Sequence, residues 1–175
     1  QQKGLFIIQL EDLVTNKKKK MFDTICHEHL EYYSSNLIIE MCKKNGLKVI
    51  DILHNDINGS SNQYYITKKN SKFKINKLKI KKVLNAEKRI KLHSKKTIIS
   101  LFKKVHQIKK NLVKLIRNIK EKNETIHGYG ASTKGNVLLQ YFGITNKELD
   151  FIAERNPKKY TLYTPGTKIK IIYSQ

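Results

Sequence analysis

Residues 71–122 contain neither proline nor glycine, and that uninterrupted stretch most limits what the chain can fold into. Within it, Ile98, Leu101, Phe102, Val105, Ile108, Leu112, Leu115, Ile116 and Ile119 recur at spacings of three and four. Such a spacing predicts one long amphipathic helix with a continuous apolar stripe. A less regular helix is expected near 77–92, carrying Leu78, Val83, Leu84 and Ile90. A stripe of this width needs a surface to dock on, so the segment reads as a connector between two parts. The expected organisation is 1–70, a helical connector over 71–122, and 123–175.

Before the connector, Leu5-Phe6-Ile7-Ile8-Gln9-Leu10 reads as a short buried strand. A buried strand so close to the first residue implies further sheet neighbours, and residues 1–70 are expected to be marginally stable alone. Residues 11–33 read as polar and irregular, with Lys17–Lys20 on a solvated loop. Ser34 or Ser35 can cap a helix over 36–45, with Leu37, Ile38, Met41 and Cys42 on one face and Gly46 at its C-terminal turn. Val49, Ile50 and Ile52 begin a strand, residues 55–61 turn, and residues 63–67 return as a second strand.

After the connector, Thr125–Gly130 reads as a strand ending in glycines. A helix over about 134–142 follows, stopped by Gly143, then strands over 149–153 and 169–172. Strand, glycine turn, helix, strand is the opening of a Rossmann-like unit. The fold class expected is therefore α/β.

Charge offers a competing reading. The chain of 175 residues carries 36 Lys+Arg against 14 Asp+Glu, a formal net charge of +22. That balance suits nucleic acid or an anionic surface. Yet Arg89, Arg117 and Arg155 are its only arginines, and arginine is the side chain that forks onto phosphate and guanine. No specific nucleic acid is expected as a partner. No run approaches the ~18 apolar residues of a membrane span. Two cysteines, Cys26 and Cys42, cannot build a disulfide framework. A reduced, cytoplasmic protein is expected.

Two clusters could carry chemistry. Cys26-His27-Glu28-His29-Leu30-Glu31-Tyr32-Tyr33 gathers imidazoles, carboxylates and phenols. An imidazole can take and return a proton near neutral pH, and a neighbouring carboxylate can fix its tautomer. Metal binding is the alternative, but the spacing lacks a third and fourth ligand. The second cluster is Gly128-Tyr129-Gly130-Ala131-Ser132-Thr133-Lys134-Gly135-Asn136. Glycines there let a backbone approach an anion at a helix N-terminus, although tight strand–helix packing explains them too.

In order along the chain stand Phe22-Asp-Thr-Ile-Cys-His-Glu-His-Leu-Glu-Tyr-Tyr-Ser34, Asn58-Gly-Ser-Ser61, Gly128–Asn136, Ala153-Glu-Arg-Asn-Pro-Lys158 and Tyr163-Thr-Pro-Gly-Thr167. Together they resemble the sugar C-methyltransferases, enzymes of deoxysugar biosynthesis that depend on S-adenosylmethionine (SAM). The resemblance implies that 1–70 is the tail of a class I methyltransferase sheet and 123–175 an incomplete Rossmann-like C-terminal domain. It implies methyl transfer from SAM to the carbon beside the keto group of a nucleotide-linked deoxysugar. By position, His29 would be the base, with Glu28 beside it and Tyr33 nearby. Asn58, Gly59, Tyr129, Gly130, Ser132, Lys134 and Asn136 would line the nucleotide-sugar side, with Lys134 against phosphate. The SAM loop, and a zinc module, would lie outside this chain, so the fragment alone is not expected to be catalytically competent. An inactive remnant, or a basic binding module for RNA or anionic surfaces, is the alternative. The chain departs from the family where Gly59-Ser60-Ser61-Asn62-Gln63 replaces Gly-Gly-Ser-Leu-Arg, at Thr161 in place of glycine, and at Lys168 and Lys170 in place of His and Pro.

Overall fold

A computed structural model describes residues 4–174. They divide into two compact units, residues 4–21 with 31–101 and residues 22–30 with 102–174. The chain is α/β, with two three-stranded sheets and five α-helices among the described residues.

In the first unit, β1 (Leu5–Glu11), β2 (Leu47–Asn55) and β3 (Ser61–Lys68) form an antiparallel sheet in the order β1-β3-β2. The core gathers Ile38, Cys42, Val49, Ile52, Tyr64 and Ile66. It is closed by α2 (Ser35–Lys44) and α3 (Lys77–Arg89), which both pack on β2. Ser34 caps α2, its hydroxyl accepting from Leu37 N at 3.2 Å, and Gly46 follows at φ +69°. Only Ile38 and Cys42 of the expected α2 face are buried; Leu37 and Met41 are exposed.

Three expectations are corrected here. Residues 11–33 are not wholly irregular: α1 (Leu13–Lys19) starts on Asp12, whose carboxylate accepts from Val14 N and Thr15 N at 3.2 Å each. The lysine run forms its last turn, where cations complement the helix dipole. Strand β1 is not buried. Among the described residues it pairs only with β3, and Leu5, Phe6 and Ile7 are 44–57% exposed. Leu78 is 82% exposed, because α3 turns Ile80 and Val83 towards the core instead. On the same helix Glu87 is buried, which no apolar pattern announces. Its carboxylate accepts from Ser35 N at 2.5 Å and Asn36 N at 3.2 Å. It therefore tethers α3 to the N-terminus of α2, where orphan N–H groups and the dipole favour an anion.

The long helix exists as α4 (Lys95–Glu121), 27 residues and about 40 Å by its rise. Its stripe is covered unevenly: Val105 and Ile116 are buried, while Ile98, Phe102 and Leu115 are exposed. No helix among the described residues is long and apolar enough to cross a membrane.

In the second unit β4 (Gly128–Tyr129), β5 (Phe151–Glu154) and β6 (Lys170–Tyr173) pair in parallel in that order. Helix α5 (Thr133–Phe142) connects β4 to β5, as the strand–turn–helix–strand pattern predicts. Ser132 caps it and Gly143 ends it at φ +72°. Only two residues of the expected first strand pair with β5. Phe22 holds the 22–30 segment to this unit, its ring 5.5 Å from Tyr141 and 5.7 Å from Phe142.

Candidate functional site

The 22–30 segment presents its imidazoles on a short stretch of turns. His29 is exposed, but its ring is held: Nδ1 lies 2.8 Å from the carbonyl oxygen of Thr24. A carbonyl only accepts, so Nδ1 carries the hydrogen of this contact. The orienting group for His29 is thus a backbone carbonyl. Glu28 lies instead 4.0 Å from His27 Nε2. Thr24 is buried, so the carbonyl that holds the ring sits on an anchored residue. Sequence reasoning missed it, since a backbone acceptor leaves no mark on composition.

Tyr33 belongs to the other compact unit. Its hydroxyl donates to the Glu31 carboxylate. That bond, more than burial, pushes the phenol above its ordinary range, so Tyr33 remains a protonated donor.

Asn58 and Gly59 sit in a single 3-10 turn between β2 and β3, both in the left-handed region at φ +54° and +96°. A Cβ on Gly59 would meet Met21 Cε at 2.5 Å. Ser60 beside them is buried, and its hydroxyl has no hydrogen-bond partner.

The Gly128–Asn136 turn uses its glycines for different reasons. A Cβ on Gly128 would come within 2.8 Å of Ile152 Cγ1, so this glycine allows close packing of β4 on β5. Gly130 has φ +86° and open space where a Cβ would stand, so its role is conformational. Tyr129 is 72% exposed, Lys134 is half-buried, and Asn136 Oδ1 is buried without a partner. Much of the turn's backbone is engaged within the protein. Ala131 N donates to Glu154 Oε2 at 2.7 Å, Lys159 Nζ donates to Ala131 O at 2.6 Å, and Gly135 N donates to Ser132 Oγ at 3.0 Å. The other oxygen of Glu154 accepts from Arg155 N and Asn156 N at 2.8 and 3.0 Å. These bonds, led by Asn156 and then Ala131, hold the Glu154 carboxyl below the usual carboxylate range. Glu154 and Lys159 were not singled out as site residues, although Glu154 lies within the Ala153–Lys158 motif.

Comparison with known proteins adds the family. Residues 56–175 match a family described as the C-methyltransferase C-terminal domain, well over half of the chain. The chain belongs to the C-methyltransferase family. It is 27% identical over 168 residues to the C-methyltransferase NovU of Streptomyces niveus, covering 96% of this chain and 40% of that protein. It therefore spans about 40% of the length of the curated relative it matches. The matched region includes the Asn58–Gly59 turn and the whole Gly128–Asn136 turn, whereas the His29 segment precedes it.

Among the described residues no group of three or more His, Cys, Asp or Glu could hold a metal ion. The methyl donor implied for such an enzyme is SAM, and the residues of the Gly128–Gly135 turn do not fit it. The glycine turn that could cradle a nucleoside is Gly128–Gly135, and the acid at the end of the adjacent strand would be the natural partner of a ribose. That acid is Glu154, and both its oxygens are committed to backbone N–H groups.

Proposed function

We infer that this chain works within a C-methyltransferase that methylates the carbon beside the keto group of a nucleotide-linked deoxysugar. In this reading residues 1–70 are the end of a class I SAM-dependent methyltransferase domain, 71–122 a connector, and 123–175 a Rossmann-like C-terminal domain. The exposed apolar edge of β1 supports the first assignment, because a long apolar edge strand calls for a sheet neighbour. SAM would supply the methyl group from a site outside residues 4–174.

The observation that carries the reading is the 2.8 Å contact of His29 Nδ1 with Thr24 O. With Nδ1 committed to Thr24 O, Nε2 is the basic nitrogen of the neutral ring. It takes the proton from the carbon beside the keto group; the C–H electron pair becomes the carbon–carbon double bond of the enolate and the carbonyl π pair moves onto the keto oxygen. A placed base contributes about 10²–10⁴-fold. Glu28, next in sequence and 4.0 Å from His27 Nε2, is assigned to the same catalytic segment. Tyr33, as a protonated phenol, is the donor proposed for the developing oxyanion, its one O–H turning from Glu31 to the substrate oxygen.

The nucleotide end is assigned to Asn58, Gly59, Tyr129, Gly130, Ser132, Lys134 and Asn136. Lys134 supplies charge against phosphate, and Gly130 keeps the turn open on its outer side. Two buried polar atoms in these segments, Ser60 Oγ and Asn136 Oδ1, lack partners among the described residues. Buried atoms of that kind are costly unless a ligand or water completes them. The test is His29→Ala in the full-length protein. Methyl transfer is expected to fall by about 10²–10⁴-fold while SAM binding, measured by titration, is retained. Wild-type turnover in that variant removes His29 as the base.

A further inference from the structure

A cavity lies in the second unit, and none of the residues assigned above lines it. It measures about 490 Å³ and is bounded by α4, the C-terminal end of α5 and the residues after it. The glycine turn sits at the other end of α5, a helix about 15 Å long.

The cavity joins an apolar floor to a cationic wall. Ile116, Phe142 and Ile144 line it and are buried. On the wall, Lys110, Lys114 and Arg117 follow one another at spacings of four and three, which puts them on one side of α4. Like charges so placed repel and weaken a helix. Among the described residues no ion pair relieves any of the three. Lys109 shows the contrast. It lines the same cavity, but its ammonium donates to Tyr141 O at 2.6 Å and so closes the end of α5. One cation is used by the fold and three are left over. Of the two carboxylates on the lining, Glu148 accepts from Thr145 N and Thr145 Oγ1 through Oε2 at 2.8 and 2.9 Å. With Lys109 the lining carries four cations against two carboxylates, Glu121 and Glu148.

We propose that this cavity binds a nucleoside polyphosphate, with the phosphates along Lys110, Lys114 and Arg117 and the nucleoside against Val113 and Ile144. The volume is within the range of small-ligand sites, about 300–1,000 Å³. Lysine and arginine in a row neutralise successive phosphates. The buried apolar floor gives the uncharged end of the ligand a place that bare phosphate cannot use. A single-stranded nucleic acid would need a track of exposed aromatic faces for its bases, and a floor of Ile116, Ile144 and the buried Phe142 is a poor match.

The experiment is calorimetric titration of the purified protein with adenosine triphosphate and, separately, inorganic tripolyphosphate at fixed ionic strength. Adenosine triphosphate is expected to bind at least tenfold more tightly than tripolyphosphate. Replacing Lys110, Lys114 and Arg117 together by Gln should weaken it at least tenfold. Val113→Ser should narrow the gap between the two probes. The same triple change at the exposed Lys68, Lys69 and Lys72, or Lys134→Ala in the glycine turn, should alter binding less than twofold. Circular dichroism checks that each variant is folded. Equal weakening by both triple changes would reduce the effect to the diffuse charge of the chain and overturn the proposal. So would equal affinity for the two probes, no binding, loss of binding in Lys134→Ala, or displacement by poly(U) at a lower phosphate concentration than adenosine triphosphate.

Discussion

Glu87→Ala tests the least expected contact in the first unit. The carboxylate is only 4% exposed and holds two N–H groups at the start of α2, Ser35 N at 2.5 Å and Asn36 N at 3.2 Å. A hydrogen bond to a charged group is worth about 1.5–3 kcal/mol net, and an anion at a helix N-terminus adds about 0.3–1. The two bonds share one charge and the longer is weak, so the sum is below twice the single-bond value. Ala at 87 should cost about 3–4 kcal/mol. Gln at 87 keeps one acceptor and the shape but loses the charge, and should cost about 1–2 kcal/mol. For a chain of this size each kcal/mol lowers Tm by about 2–4 °C. The chain has no Trp and nine Tyr, so urea unfolding is followed by circular dichroism and tyrosine fluorescence. The amide protons of Ser35 and Asn36 should lose hydrogen-exchange protection before those of β3. An Ala variant within 0.5 kcal/mol of wild type would refute the tether, as would Gln and Ala variants of equal stability.

Thr161 stands at φ +64°, a conformation costly for a β-branched residue and free for glycine. Thr161→Gly should stabilise by about 0.5–1 kcal/mol, the αL strain of about 1–2 less the extra unfolded-state freedom of glycine; unchanged or lower stability in urea would contradict that. Gly128→Ala should destabilise by about 1–3 kcal/mol through overpacking on Ile152, and unchanged thermal stability would exclude the close approach. The Glu154 carboxyl is held low in the fold, so its contribution is present above the unfolded carboxylate pKa and is lost as pH falls through the lower folded value. Amide exchange at Ala131 and Asn156 should therefore rise only in acid below the ordinary glutamate range, and a rise starting near neutrality would count against this assignment.

Much of the fold was legible because its signals are local. Ser34 and Gly46 bracket α2, Ser132 and Gly143 bracket α5, and the three-four spacing marks α4. The glycine turn followed by a helix was enough to anticipate a parallel pair, and β4 and β5 form it. The ordered motifs pointed to the C-methyltransferases, and the family match over residues 56–175 agrees. Thr161, noted as standing where the family has glycine, does have a positive φ. Even α1 had a local signal in Asp12, outweighed by the lysine run that followed.

What could not be read was every choice that depends on residues far apart in the chain. Leu78 fits the apolar pattern of α3 and points to solvent, while Glu87 breaks the pattern and is buried. The partner that makes this burial favourable lies 51 and 52 residues away. The hydrogen bond that holds the His29 ring was likewise undetermined, because the acceptor is a main-chain oxygen that every residue possesses. Sequence by itself determined where the backbone can coil, turn and pair, since those preferences act over a few residues. Tertiary structure alone decided which side chains leave water and which atoms satisfy them, because burial is a property of neighbours that chain order does not name.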